Sequence, residues 1–179
     1  NLPPLEIANY YGVLFDLPMA FLESIFNIDD SENYFFLRHL TNFLFFFISG
    51  IFFYNIIVDR TSSRLIGFLG TFMYLLSPKV YGNSFFDGKD IFFLSIVTIS
   101  FYFYLNFEKK RNIKSLILLA LLCSFATSSR IFGLMLPVCF ICLFLLELIN
   151  IKDKNIIFKK LILYLFLYLI FLYLYWPYM

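Results

Sequence analysis

The chain has 179 residues, of which 61% are hydrophobic and 15% charged, with a mean hydropathy of +0.84 and a formal net charge of +2. Soluble domains run at about 45–50% apolar and about 25% charged, so a soluble globular fold is excluded. What remains is an all-α fold, a polytopic transmembrane helical bundle, because backbone polar groups in hydrocarbon must be satisfied within each helix. The small net charge, carried in short basic clusters beside apolar runs, also sets nucleic acid aside as a partner.

In chain order, residues 1–37 come first and do not form a span, since Pro3, Pro4 and Pro18 interrupt them and acidic residues punctuate them. They read as an outer-face loop with a short amphipathic juxtamembrane helix at 17–26. That piece turns Leu17, Phe21, Leu22 and Ile25 towards the bilayer surface. Asp29, Asp30 and Ser31 then offer N-caps for the first span. Residues 38–179 form the transmembrane domain, with apolar stretches at 40–57, 65–76, 91–107, 116–127, 131–149 and 161–176. The second and fourth stretches are too short for a standard span, so they must borrow flanking residues, be shielded by neighbours or thin the bilayer. Ser128, Ser129 and Arg130 separate the fourth stretch from the fifth and supply N-cap residues for the latter.

The basic residues orient these spans. With the first running inward, the connections at 59–64, 108–114 and 152–160 carry ten of the 14 Lys and Arg, while the opposite face carries eight of the 12 acids. That is one consistent topology under the positive-inside rule. It places residues 1–37 outside and so predicts a further span upstream. The opening at Asn1 and the ending directly after an apolar run likewise read as those of an internal fragment. The 27 Phe and 13 Tyr spread along every apolar run, a pattern of compositional bias that gives single aromatics little functional weight.

Few groups are equipped for chemistry. Cys123, Cys139 and Cys142 lie in apolar runs, and the Cys139-Phe-Ile-Cys142 spacing has no cationic neighbour to activate a thiol, so all three read as packing residues. His39 is the only histidine and reads as an interfacial residue, and a His/Cys zinc site is not available. The informative stretch is the outer loop at 77–90, Ser-Pro-Lys-Val-Tyr-Gly-Asn-Ser-Phe-Phe-Asp-Gly-Lys-Asp. In a structural reading Asp87 shapes a turn, Asp90 caps the next helix and Lys89 snorkels to headgroups. In a functional reading Lys79, Lys89 and Arg130 converge on a phosphate. Arg130 would stand at the first turn of the fifth span, where backbone N–H groups favour an anion. An acceptor hydroxyl would then need a carboxylate base nearby.

The run from Leu76 to Leu94 resembles a stretch of bacterial GT-C glycosyltransferases, patterned S-P-[RK] and then S-F-[FY]-N-x-K-D-[IL]-x-F-L. The relatives are the protein mannosyltransferase-like and lipid A aminoarabinose transferase-like proteins of glycosyltransferase family 39. Tyr10-Tyr-Gly-Val-Leu-Phe-Asp16, Arg38-His39, Ser129-Arg-Ile-Phe-Gly133 and Tyr175-Trp-Pro-Tyr178 follow the family's order and extend the resemblance over most of the chain. Asp87 departs from it, standing where the pattern has Asn.

The resemblance implies an enzyme that moves a sugar from a polyprenyl-phosphate carrier to an acceptor hydroxyl of a protein, lipid or glycan. It would act on the outer face of a bacterial inner membrane, usually with inversion. It puts the main catalytic acid upstream of Asn1, leaving Asp16 and Glu6 as the candidate carboxylates here. Lys89, Arg130 and Lys79 would hold the donor phosphate, while Asp87, Asp90, Tyr81 and Tyr11, with Tyr10, would shape the site. It fixes no cofactor, and a divalent metal is left open. The rival readings are a transporter or flippase, which would carry ionisable or helix-breaking residues at mid-span, and a purely structural membrane subunit. Only Gly133 and Pro137 in the fifth span resemble the former.

Overall fold

Apolar runs without charge can satisfy their backbones only as helices, and every element among the described residues is helical. The computed structural model describes residues 15–28, 30–86, 90–150 and 154–175. In order these form α1 (Asp16–Ile25), α2 (Ser31–Thr61), α3 (Arg64–Leu76), α4 (Pro78–Phe86), α5 (Asp90–Lys110), α6 (Ile113–Ser129), a 3₁₀ turn (Ile131–Leu134), α7 (Met135–Asn150) and α8 (Lys154–Tyr175). Among the described residues four stretches are long and apolar enough to cross a membrane: Ser31–Thr61, Asp90–Lys110, Ile131–Ile149 and Lys154–Tyr175. The protein is an all-α membrane helical bundle. Its described helices fall into two compact units, one from Phe15 to Tyr102 and one starting at Phe103, divided within α5.

In the first unit, α2 runs for 31 residues, about 46 Å at 1.5 Å per residue, against a hydrocarbon core of about 30 Å. Roughly ten residues therefore project from the core, and the site described below is built on its N-terminal turns. Asp30 sits at the N-cap but makes no side-chain cap bond, and Asp29 lies outside the described residues. At the other end Ser62 adopts the left-handed conformation (φ 55°) that stops a helix, and the Ser63 hydroxyl accepts the Ile66 N–H at 3.4 Å to start α3. The resulting α2–α3 hairpin closes tightly: Gly67 lies against Tyr54 and Val58, and Gly70 against Ile57, where a Cβ would collide. A hydroxyl chain ties in α5, with Tyr74 Oη at 3.0 Å from Ser49 Oγ and 3.3 Å from Thr98 Oγ1.

Residues 78–86 correct the expectation of a loop at 77–90, because Pro78 starts a helix there, while 87–89 lie outside the described residues. A proline at the first helical position has no N–H to lose and a φ already suited to the helix.

In the second unit, α6 shows how a short apolar helix survives. Leu116, Leu119, Ala120, Cys123 and Ala126 are fully buried, and α6 packs along α8 against Tyr164 and Tyr168. Its small residues allow close approach, and Thr127 Oγ1 meets Tyr168 Oη at 3.1 Å across the interface. The helix continues through Ser128 and Ser129, which therefore do not cap the next one. Ser129 Oγ donates back to the Ala126 carbonyl at 2.9 Å, and the Ser128 hydroxyl is buried without a partner. Gly133 then lies directly against the Ala126 carbonyl, a closeness that excludes any side chain. Cys123 is buried, whereas Cys139 and Cys142 are exposed on α7; all three are free thiols.

Candidate functional site

The N-terminal turns of α2 carry two adjacent stripes at helical spacing, Tyr34/Arg38/Asn42 and Phe35/His39/Phe43; Arg38 of the first gathers α1, while Asn42 joins His39 and Phe43 in gathering α4. Arg38 is the centre of the first. Its Nη1 donates to Asp16 Oδ1 at 2.8 Å and its Nε to Glu23 Oε1 at 2.8 Å, so one guanidinium grips both ends of α1. The Tyr34 ring lies under it at 4.4 Å. Both acids thus neutralise a guanidinium whose side chain is 22% exposed. The two acids differ in setting: the Asp16 side chain is 65% exposed and the Glu23 side chain 15%.

The same turns seat α4. Asn42 Nδ2 donates to the Ser84 carbonyl at 2.8 Å, the Phe43 ring stacks on Phe85 at 4.9 Å, and His39 meets Phe86 edge-on at 5.5 Å. Lys79 and Tyr81 thus stand on a short helix rather than a mobile loop, both exposed, with the Tyr81 ring edge-on to Phe85 at 5.3 Å. Asp90 opens α5 and is exposed.

Arg130 belongs to the other unit. It ends α6 in extended conformation (φ −148°, ψ 138°), with its N–H on the Ala126 carbonyl at 3.1 Å and its own carbonyl accepting from Gly133 at 2.7 Å. Its side chain is half-buried. A four-residue 3₁₀ turn follows, so the helical first turn expected to cradle an anion beside Arg130 is not built there. Glu6, Tyr10, Tyr11, Asp87 and Lys89 lie outside the described residues.

The sequence matches the family model of dolichyl-phosphate-mannose-protein mannosyltransferase over residues 6–177. The chain belongs to this family. It is thus a member of a family of membrane glycosyltransferases, and the match spans nearly all of its length, both units included. No curated protein and no solved structure matches the chain.

For a mannosyltransferase-family chain, the described part of the site supplies carboxylates, a guanidinium, exposed Lys79 and aromatic surface. No group of three or more His, Cys, Asp or Glu side chains able to hold a metal ion occurs among the described residues. The structure brings Asp16 together with Arg38 and Glu23, a pairing that sequence reasoning missed. The signal was present: a lone cation at a helix start, with Tyr34 one turn before it and acids on the amphipathic piece upstream.

Proposed function

We propose that the chain transfers a sugar from a polyprenyl-phosphate-linked donor to an acceptor hydroxyl on the outer face of the membrane. The observation that carries this reading is family membership across residues 6–177. In the reaction the acceptor oxygen attacks the anomeric carbon as the bond from that carbon to the phosphate oxygen breaks, so negative charge grows on the departing lipid phosphate. Fixed cations stabilise such charge best, the part given to Lys89, Arg130 and Lys79. The hydroxyl proton leaves to a carboxylate, for which Glu6 and Asp16 are the candidates in this chain.

The Arg38 pairing changes what is asked of Asp16. One of its oxygens is committed to the α1–α2 joint, so Asp16 serves first as a support and takes a proton only through its other oxygen or after leaving Arg38. Asp87, Asp90, Tyr81 and Tyr11 are assigned to shaping the acceptor and sugar site. The charge distribution favours an outer-face site, since the connections assigned to the inside hold most of the basic residues, and the membrane we assign, from the resemblance alone, is a bacterial inner membrane.

The test is sugar transfer in membranes expressing wild type, Lys89→Ala or Arg130→Ala at matched levels, with a radiolabelled polyprenyl-phosphate sugar. Transfer that drops about a hundredfold in both variants, a scale typical for a lost transition-state contact, supports the assignment. Full activity in both variants removes these two residues from it.

A further inference from the structure

At one end of the Phe103–Met179 unit three chain segments meet. Arg111, in left-handed conformation (φ 53°) in the α5–α6 turn, pairs with Glu147 near the end of α7, and the Lys160 ammonium of α8 donates to the Arg111 carbonyl at 2.8 Å. Both cations also lie over the Phe107 ring, at 5.7 and 5.2 Å. These contacts put the α5–α6 turn, the end of α7 and the start of α8 together. Arg111 and Lys160 are consumed in holding the joint. Lys110, Lys114, Lys154 and Lys159 stand exposed around it, so this end of the unit carries a surplus of positive charge.

A groove of about 490 Å³ opens beside this joint, between the last turn of α7 and the first turn of α8. Leu145, Leu148, Ile149 and Phe158 make its walls, and Lys154 and Asn155 form its polar lip. Three of the walls are exposed apolar side chains: Leu145 at 48%, Ile149 at 73% and Phe158 at 54%. An apolar trough ending in a cation and an amide, at the end of two candidate spans, matches one kind of molecule in its charge order: an acyl chain below and an anionic headgroup above.

We propose that this groove is a binding site for one anionic phospholipid, its acyl chain against Leu148, Ile149 and Phe158 and its phosphate at Lys154 and Asn155. Zwitterionic lipids offer the same chain but cancel the phosphate charge with their own amine, so the lysine surplus selects against them. The site is independent of the glycosyl-transfer reading and rests only on the membrane-bundle fold.

Native mass spectrometry of the whole chain tests it, using protein exchanged into an equal mixture of phosphatidylglycerol and phosphatidylcholine with identical acyl chains. One phosphatidylglycerol is expected to be retained in preference. Lys154→Gln should cut that preference about five-fold, the factor that about 1 kcal/mol for one basic residue near a membrane surface corresponds to. Ile149→Trp, which fills the trough at an exposed position, should lower retention of the bound lipid while leaving the helix content by circular dichroism unchanged. Arg64→Gln, an exposed cation at the start of α3, should change neither. Equal retention of the two lipids overturns the proposal. So does an Arg64→Gln loss as large as that of Lys154→Gln, which would assign the preference to general surface charge.

Discussion

Replacing Arg38 by alanine should release α1 from α2 without unfolding the bundle. Within α1 only Met19 is buried, while Leu17, Phe21 and Ile25 are 54–65% exposed, so its docking in the protein leans on the guanidinium. The Asp16 pair, with an acid that is 65% exposed, contributes at most about 1 kcal/mol. The Glu23 pair weighs more, because its loss leaves a largely buried carboxylate without its partner; charged hydrogen bonds of this kind are worth about 1.5–3 kcal/mol. The Tyr34 ring belongs to α2 itself, so its contact steadies the guanidinium without adding to the α1 joint. The two pairs are coupled through one side chain, so a net local loss of about 2 kcal/mol is expected, less than their sum. Hydrogen exchange in micelles reads this directly: amide protection in α1 should fall about 30-fold, with α5 and α6 unchanged. Glu23→Gln should reproduce most of the loss and Asp16→Asn little of it. Unchanged protection of α1 in Arg38→Ala would refute the reasoning, as would an Asp16→Asn effect equal to that of Glu23→Gln.

Other outcomes follow from the same geometry. Gly133→Ala should cost about 3 kcal/mol by thermal denaturation, because the new Cβ meets the Ala126 backbone; Gly70→Ala should cost about 1 kcal/mol, since only the end of the Ile57 side chain must move. Arg111→Ala should lower the melting temperature by leaving the Glu147 carboxylate, 12% exposed, unpaired. Adding Glu147→Met should recover most of that loss, and a double variant less stable than the single one would contradict the pairing.

The all-α membrane class was legible because hydrocarbon leaves the backbone few options, so composition alone points to helices. Segment ends were less legible. Residues 128–130 combine serines with arginine and read as a cap, yet Ser129 turns its hydroxyl back on Ala126, which a helical residue can do as readily as a capping one. Residues 78–86 read as a loop from their polarity, and the side chains of α2 that hold them as a helix, His39, Asn42 and Phe43, lie some 40 positions upstream. The same distance hid Arg38. Ion pairs spanning 15 and 22 residues depend on how α1 folds back on α2, which no local pattern states. The resemblance of residues 76–94 indicated the family correctly because it rests on motif order, which survives such ambiguities.

The most direct test of the central claim is donor choice by the purified chain in proteoliposomes. Radiolabelled sugar would be offered either on a polyprenyl phosphate or on a nucleotide, with a hydroxyl-bearing acceptor pool extracted from the same membranes. Transfer from the lipid-linked donor alone, with release of the polyprenyl phosphate, is the predicted result. Transfer from the nucleotide sugar without any lipid carrier would contradict the account.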